Sequence, residues 1–286
     1  LTLRTNHLSV SDGSKIQVAT FGQGDAGDLF IDANTINVFD TERYNFYSTG
    51  IIADVAQDAS VNNRPVGTGN GGNVTIETGR LSILGGQVTA DTDGTGNAGT
   101  VRVHARDSIE IGRTSSSGSQ GFLTADVNQG ATGQGGSLII ETGDLIVRDG
   151  GRVSTDTYGR GNAGDLSITA RNVNVEGSQI SSSTFGRGDA GNLRIRASDS
   201  IVLSGENPGA NGRNGSSGGL FAQVESTGVG EGGNLTLRTN HLSVSDGSKI
   251  QVATFGQGDA GDLFIRANTI NVRETRRSNF FTTGIF

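Results

Sequence analysis

The chain has 286 residues, among them 47 glycines, 2 prolines and no cysteine, methionine or tryptophan. So much glycine without a three-residue period excludes a collagen triple helix, and it is too unfavourable in helix interiors for a mainly helical fold. The net charge of −7 and the lack of a basic patch argue against nucleic acid or an anionic membrane as a partner, and no apolar run is long enough to span a bilayer. We therefore predict an all-β chain with many turns.

A long internal repeat connects the beginning and the end of the sequence. Residues 1–31 recur without one change at 235–265, and the similarity continues further, because residues 33–38 match residues 267–272. The chain starts at Leu1 and carries no signal peptide, so we expect it to be a segment of a longer protein. Internal repetition of this kind directs the fold prediction to repeat architectures.

A shorter repeat lies inside the long one. Its units start after a recurring glycine-rich turn, near positions 1, 29, 74, 101, 138, 166, 193, 235 and 263. Each unit opens with a short strand of alternating apolar and polar residues and then contains two more, which in the first unit are residues 8–10 and 16–20. Strands that alternate in this way bury one face.

Each unit predicts one coil of a parallel β-helix, a solenoid with three short strands per coil and about nine coils in a single segment over residues 1–286. One coil cannot bury its inward side chains alone, but stacked coils form a continuous core. The predicted inward residues of the first coil are Leu1, Leu3, Leu8, Val10, Ile16 and Val18.

The turn after the third strand is the most regular element of the repeat. It reads Gly22-Gln-Gly-Asp-Ala-Gly-Asp28 in the first coil and Gly159-Arg-Gly-Asn-Ala-Gly-Asp165 in the fifth. Glycine adopts positive φ without steric cost, and Asp and Asn tolerate it and hydrogen-bond to nearby backbone. Stacking of coils then predicts ladders of polar side chains along this corner.

Calcium binding is an alternative interpretation of the same turns. The candidate ligands are Asp25, Asp28, Asp259 and Asp262, because Gly-Gln-Gly-Asp-Ala-Gly-Asp superficially resembles the nonapeptide of calcium-binding β-rolls. The motif occurs only once per coil, however, and Asp exchanges with Asn, Thr and Ser, whereas a calcium site requires six or more oxygen ligands. Turn formation is the favoured interpretation, and we predict no metal and no cofactor.

Longer coils carry inserts between the second and third strands, and these inserts supply the candidate contact surface. They run over residues 39–50, 112–121, 204–219 and 273–284, and in a solenoid they should line up along one edge. Aromatic and arginine side chains, which are enriched at interfaces and also stack on sugar rings, occur in two of them. The predicted contact residues are Arg43, Phe46, Tyr47, Arg277, Phe280 and Phe281. The alternative is that these aromatic rings fold back on the shaft.

The repeat unit resembles the shaft of filamentous haemagglutinin-like large exoproteins of the two-partner secretion family, of the kind abundant in cyanobacteria. The resemblance covers essentially the whole chain and is carried by units such as residues 232–262, from Gly-Gly-Asn-Leu-Thr-Leu to Gly-Asp-Ala-Gly-Asp. It implies a right-handed β-helix on the outer surface of a Gram-negative-type bacterium, or outside it, exported through an outer-membrane secretion pore. The family's secretion domain contains Asn-Pro-Asn-type motifs that are missing here, which places this segment in the shaft.

The function that follows is a structural or adhesive shaft of a cell-surface filament, with surface glycans or further copies of itself as partners. One alternative is a matrix or surface-layer subunit that stacks end to end into a fibre. Another is a polysaccharide-active β-helix enzyme, which would need paired carboxylates. The candidates for such pairs are Asp91, Asp93, Asp126 and Asp156, but their equivalent repeat positions indicate a solvated face. We therefore predict that the protein is not an enzyme.

Overall fold

The computed structural model describes residues 1–41, 49–56, 67–114, 118–207, 215–275 and 281–286, and throughout these residues the regular structure is β. Two parallel sheets of nine strands each make up most of it, together with one short antiparallel pair. None of the described residues forms a helix that is long and apolar enough to cross a membrane.

Long and short strands alternate along the chain. In chain order the strands are β1 (Thr2–Ser11), β2 (Lys15–Gln17), β3 (Leu29–Phe39), β4 (Gly50–Ile52), β5 (Val74–Leu84), β6 (Gln87–Thr89), β7 (Val101–Gly112), β8 (Phe122–Thr124), β9 (Leu138–Arg148), β10 (Arg152–Ser154), β11 (Leu166–Glu176), β12 (Gln179–Ser181), β13 (Leu193–Ser204), β14 (Glu206–Asn207), β15 (Ser216–Ser217), β16 (Gly219–Phe221), β17 (Leu235–Ser245), β18 (Lys249–Gln251), β19 (Leu263–Arg273) and β20 (Gly284–Ile285).

The long strands form the first sheet and the short strands the second, each in the order in which the coils follow one another. The first sheet is β1-β3-β5-β7-β9-β11-β13-β17-β19, and the second is β2-β4-β6-β8-β10-β12-β16-β18-β20. A further ladder of single parallel bridges joins residues beyond the short strands, for example Thr157 to Thr184 and Thr184 to Val224. The chain is therefore a parallel β-helix of nine coils, and the predicted fold is confirmed.

The predicted coil starts are the starts of the long strands. Leu29 pairs with Val74, Val74 with Val101 and Val101 with Leu138 on adjacent strands, and the later coil starts continue this row. The structure differs from the prediction in one respect: the predicted first and second strands of a coil form one continuous strand. For example, β1 contains both residues 2–3 and residues 8–10. The pairing register of β7 and of β13 shifts near the middle of the strand, between the two segments that the sequence predicts as separate strands.

The inward side chains form one continuous apolar core through all nine coils. The two identical segments show how much of this burial comes from neighbouring coils. Leu235, which has a coil on each side, is 0% exposed, whereas Leu1 in the first coil is 56% exposed although its local sequence is the same. Of the other predicted inward residues of the first coil, Val10 is buried and Leu3, Leu8, Ile16 and Val18 pack partly buried against the core.

The glycine-rich turns stack directly on one another, which explains their sequence. Gly161 has a φ of 136°, and a Cβ placed on it would lie 1.7 Å from the carbonyl oxygen of Gly133 in the preceding coil. No side chain fits there. Next to these glycines, side-chain oxygens accept hydrogen bonds from the backbone N–H of the following coil, as Asn97 does from Gln134 at 2.8 Å and Asn162 from Asp189 at 2.9 Å.

The four inserts leave the solenoid at one corner. They follow the ends of β3, β7, β13 and β19 and return at β4, β8, β16 and β20, so their end points are stacked along one edge as the sequence predicts. Coils without an insert close the same corner with a tight turn, with positive φ at Asp12, Asp149 and Asp246, in agreement with their Asp-Gly sequences.

Candidate functional site

The most unusual polar arrangement lies on the face of the second sheet that points away from the apolar core. Two columns of side chains run along this face, one residue per coil. The ladder column consists of Ala19, Asp54, Asp91, Asp126, Asp156, Ser183, Gln223 and Ala253. The rim column, two residues further along each coil, consists of Phe21, Ala56, Asp93, Asn128, Tyr158, Phe185, Glu225 and Phe255. The bridge ladder joins the residues between the two columns and holds them in register.

The four carboxylates of the ladder column are buried, which corrects the prediction of a solvated face. Asp54, Asp91, Asp126 and Asp156 are each no more than 8% exposed. Alternation along the strand does point these side chains away from the core, but the adjacent coils and the flanking columns cover them. Only Asp93, in the rim column, is half-buried, and Asn128 donates a hydrogen bond of 2.8 Å to it.

Each ladder carboxylate is bound by the following coil in the same way. One oxygen accepts the backbone N–H of the next ladder residue, at 2.8 Å from Asp91 to Asp54 and 2.7 Å from Asp126 to Asp91. A hydroxyl two positions earlier in that coil donates as well, from Thr89 to Asp54 at 2.9 Å and from Thr124 to Asp91 at 2.9 Å.

The same two donors serve the last two carboxylates of the ladder. Asp126 accepts from the backbone N–H of Asp156 at 2.7 Å and from the Ser154 hydroxyl at 3.0 Å. Asp156 accepts from the backbone N–H of Ser183 at 2.7 Å and from the Ser181 hydroxyl at 2.8 Å. The ladder ends there, because the next residue in the column is a serine.

One arginine compensates the charge at this end of the ladder. Arg152 Nη2 lies 2.7 Å from Asp156 Oδ2 and 3.2 Å from Asp126 Oδ2, and it also donates to the Tyr158 hydroxyl. Its guanidinium carbon stands 5.3 Å from the centre of the Tyr158 ring. Burial lowers the pKa of Arg152, but the two carboxylates outweigh this and leave that pKa above its ordinary value. Arg152 therefore stays charged.

Asp54 and Asp91, earlier in the ladder, form no ion pair with a described residue, although the charge of Lys15 acts on Asp54. Burial raises the pKa of Asp54 to about 7 and that of Asp91 to about 8, and Asp54 itself adds to the shift at Asp91. The pKa of Asp126 is also raised by burial, an effect that Arg152 opposes. Asp54 and Asp91 are therefore largely protonated in mildly acidic solution, so they act as neutral hydrogen-bonding groups there.

A groove of about 330 Å³ opens where the aspartate ladder ends. Arg152 and Asp156 lie at one side of it, and the rings of Tyr158 and Phe185 stack nearly parallel beside it, with centroids 4.5 Å apart. Gln223 and Glu225 line the other side. Burial raises the pKa of Glu225, to which the Gln223 side-chain amide donates a hydrogen bond.

The rim aromatic residues differ in what surrounds them. The sequence predicts that Phe21, Tyr158, Phe185 and Phe255 all pack against the corner. Tyr158 and Phe185 do so as a stacked pair, but Phe21 is 39% and Phe255 is 55% exposed. The difference arises because only coils 5 and 6 bring two rings together in adjacent positions.

The candidate calcium ligands take part in the turn ladders. Asp25 Oδ1 accepts from the backbone N–H of Asn70 at 2.6 Å, and Asp28 Oδ1 accepts from the backbone N–H of Asn73 at 2.9 Å. At the other end, the backbone N–H groups of Asp259 and Asp262 donate to Glu231 and Asn234. Over the described ranges, no three His, Cys, Asp or Glu residues come together as a group that could hold a metal ion.

Most of the predicted contact surface lies outside the described residues. This applies to Arg43, Phe46, Tyr47, Arg277 and Phe280. Phe281 is described and folds back on the shaft: its backbone N–H donates to Glu206 Oε1 at 3.2 Å, and its ring lies 6.0 Å from Lys249 Nζ. Phe281 therefore follows the alternative interpretation.

The groove residues Arg152, Phe185, Gln223 and Glu225 were not singled out as a site by the sequence. A signal was present, since the ladder position reads Asp in four successive coils and then changes to Ser183 and Gln223. A second signal is the Thr or Ser two residues before Asp91, Asp126 and Asp156, which supplies the hydroxyl donor. Both patterns can be recognised only when the sequences of the coils are aligned in register.

No protein-family model, no curated protein and no solved structure matches this chain.

Proposed function

We propose that this chain is a structural and adhesive shaft segment of a secreted cell-surface exoprotein, located outside the cell or on the outer surface of a Gram-negative-type bacterium. The observation that carries the proposal is the stacking of nine coils, in which each strand of the two nine-stranded sheets pairs only with its counterparts in adjacent coils. At about 4.8 Å per coil, nine coils extend for about 40 Å. A chain built in this way supplies length and stiffness.

The energetics of stacked coils and the surface composition support the same proposal. The free energy of unfolding of such an array is approximately a sum over neighbouring coils, so the rod can be longer without a thicker core. The net charge of −7 and the polar outward residues favour a solvated exterior. Absence of cysteine is compatible with export of an unfolded chain through an outer-membrane secretion pore, which the resemblance of the repeat to large exoproteins implies.

Surface location can be tested with antibodies raised against the purified chain. Immunogold labelling of intact producing cells is expected to mark extracellular filaments, and a strain without the gene should lose both the label and part of its attachment to surfaces. Label that appears only after the cells are permeabilised would exclude an extracellular shaft.

An adhesive shaft and a passive matrix fibre differ in whether the inserts are needed for attachment to surfaces. Substitution of Arg43, Phe46 and Tyr47 by alanine is expected to weaken attachment while leaving filaments in place. Unchanged attachment would reduce the proposal to a passive matrix fibre. Sedimentation of the purified chain at increasing concentration tests the end-to-end stacking alternative, which requires fibres to form from this segment alone.

We expect no polysaccharide cleavage, because every ladder carboxylate is engaged by backbone and hydroxyl donors. General acid or base catalysis requires a carboxyl within reach of the substrate proton. Incubation with a panel of polysaccharides, followed by measurement of their chain length, checks this point. Shortened products would establish the enzyme alternative.

A further inference from the structure

The groove beside Tyr158 and Phe185 interrupts the otherwise regular side of the solenoid. In coils 2 to 5 the ladder column is filled by aspartates, each capped by the next coil. Ser183 keeps the backbone bond, because the Gln223 N–H donates to its Oγ at 3.3 Å, but it brings no carboxylate, and Gln223 follows it in the next coil. The hollow thus lies where the column changes from Asp to Ser and Gln, and Ser216 and Ser217 of the neighbouring insert also line it.

Gln223 supplies an unsatisfied acceptor in this hollow. Its side chain is only 6% exposed, and its Oε1 atom is buried without a hydrogen-bond partner among the described residues. The amide is held by its Nε2 group, which donates to Glu225. A buried amide oxygen without a donor is destabilising, so this position favours a ligand that brings an O–H or N–H group.

The aromatic pair supplies the complementary apolar surface. Tyr158 and Phe185 are half-buried and stacked at 4.5 Å, and the Arg152 guanidinium lies over the Tyr158 ring, so the face of Phe185 that turns away from Tyr158 is the aromatic surface left for a ligand. Flat aromatic surfaces next to hydrogen-bonding groups suit ligands that have an apolar face and a polar rim. A pyranose ring has this chemistry, with C–H groups on its faces and hydroxyls at its edge.

Charge selects among such ligands. Arg152 is already shared by Asp126 and Asp156, so it offers little attraction to a further anion. Glu225 adds another carboxyl at the groove, where burial and the nearby Asp156 raise its pKa. An acidic sugar would therefore be repelled, whereas an uncharged sugar would find acceptors for its hydroxyl groups.

We propose that the groove formed by Arg152, Asp156, Tyr158, Phe185, Gln223 and Glu225 binds an uncharged pyranose unit of a polysaccharide. The ring lies against the aromatic pair, and its hydroxyls donate to Gln223 Oε1 and Glu225. A volume of about 330 Å³ lies at the lower end of the range of about 300–1,000 Å³ for ligand sites, which corresponds to a short section of a polymer. This inference is independent of surface display, because the purified chain should bind in either case.

The test is an array of immobilised uncharged and acidic oligosaccharides probed with the purified 286-residue chain. The chain is expected to bind at least one uncharged oligosaccharide and to bind the acidic ones more weakly. Phe185→Ala removes half of the stacked pair, and Gln223→Leu removes the acceptor with little change in volume. Each substitution should reduce binding at least tenfold.

Phe21→Ala is the matched control, since Phe21 occupies the same rim column in the first coil, far from the groove. Its binding should equal that of the unsubstituted chain. Gln223→Leu keeps the backbone N–H that donates to Ser183 but removes the donor to Glu225, so its melting curve is recorded beside its binding, and only loss of binding at unchanged melting supports the proposal. The proposal is overturned if no uncharged oligosaccharide binds, if acidic ones bind better, or if binding survives both groove substitutions.

Discussion

At the scale of single residues, the inward threonines beyond the short strands carry hydroxyls that the fold does not use. Thr157 and Thr184 are fully buried, and their Oγ1 atoms have no partner among the described residues. The same column contains valine in other coils, as at Val127 and Val224. The column therefore accommodates a methyl group in place of a hydroxyl.

Thr184→Val is expected to stabilise the protein by about 1 kcal/mol, because it removes a buried polar group that has lost its water without gaining a partner. The measurement is the midpoint of urea-induced unfolding. Thr155→Val is the matched control, since the Thr155 hydroxyl donates to Gly164 O at 2.6 Å and its loss should lower the midpoint. Equal effects of the two substitutions would contradict the explanation.

The turn glycines give a second prediction at the same scale. Gly161→Ala should destabilise the chain by about 1–3 kcal/mol from backbone strain at positive φ alone, and the contact with Gly133 O adds to this loss. Gly22→Ala is the control, because a Cβ at Gly22 meets no atom within 4 Å. Circular dichroism melting curves compare the two. A melting temperature of Gly161→Ala equal to that of the control would show that the turns are not closely stacked.

At the scale of elements, the aspartate ladder makes the second sheet sensitive to pH. The folded-state pKa values of about 7 for Asp54 and about 8 for Asp91 lie above the ordinary value of 3.8. The folded chain therefore binds more protons than the unfolded chain between these limits, and linkage requires stability to fall as pH rises through the window. Lys15 opposes the rise in the pKa of Asp54, whereas Asp54 and Asp93 add like charge that raises the pKa of Asp91.

The expected result is a free energy of unfolding several kcal/mol lower at pH 9 than at pH 5, given that one pKa unit corresponds to about 1.4 kcal/mol. The double substitution Asp54→Asn and Asp91→Asn keeps the carbonyl acceptors and should remove most of this dependence. Asp32→Asn, on the exposed face of β3, should leave it unchanged. Urea unfolding at several pH values provides the comparison, and stability that rises with pH would refute the assignment.

The coils could be predicted from the sequence, whereas the burial of the aspartates and the groove could not. Coil starts at Leu29, Val74 and Val101 follow from periodicity, because each inward position must be apolar in every coil. Burial of Asp91 and Asp126 could not be read in this way, since alternation tells which side of the sheet a residue occupies but not what covers that side. The groove at Gln223 depends on contacts among coils 5 to 7, which are distant in sequence and adjacent only once the solenoid has formed.

At the scale of the whole molecule, the two identical segments form an internal comparison. Leu237 and Leu242 in β17 are at most 1% exposed, whereas Leu3 and Leu8 in β1 are only partly buried. Intrinsic exchange rates of the two segments are the same, so any difference in hydrogen exchange reports on neighbouring coils alone.

We expect the amides of β17 to exchange at least tenfold more slowly than those of β1 in the purified chain. Mass spectrometry distinguishes the segments through peptides that extend into different flanks, with Asp32 after one copy and Arg266 after the other. Equal protection would mean that coils are stabilised from within rather than by stacking.

The identity of residues 1–31 and 235–265 has a consequence for how such a gene can change. The copies start 234 residues apart, and recombination between them would remove or insert seven whole coils with no altered junction. The new contact would repeat one that already exists, between β13 and β17. An insertion would thus lengthen the rod by about 34 Å, seven coils at about 4.8 Å each, and every added coil would stack at a contact that the fold already contains.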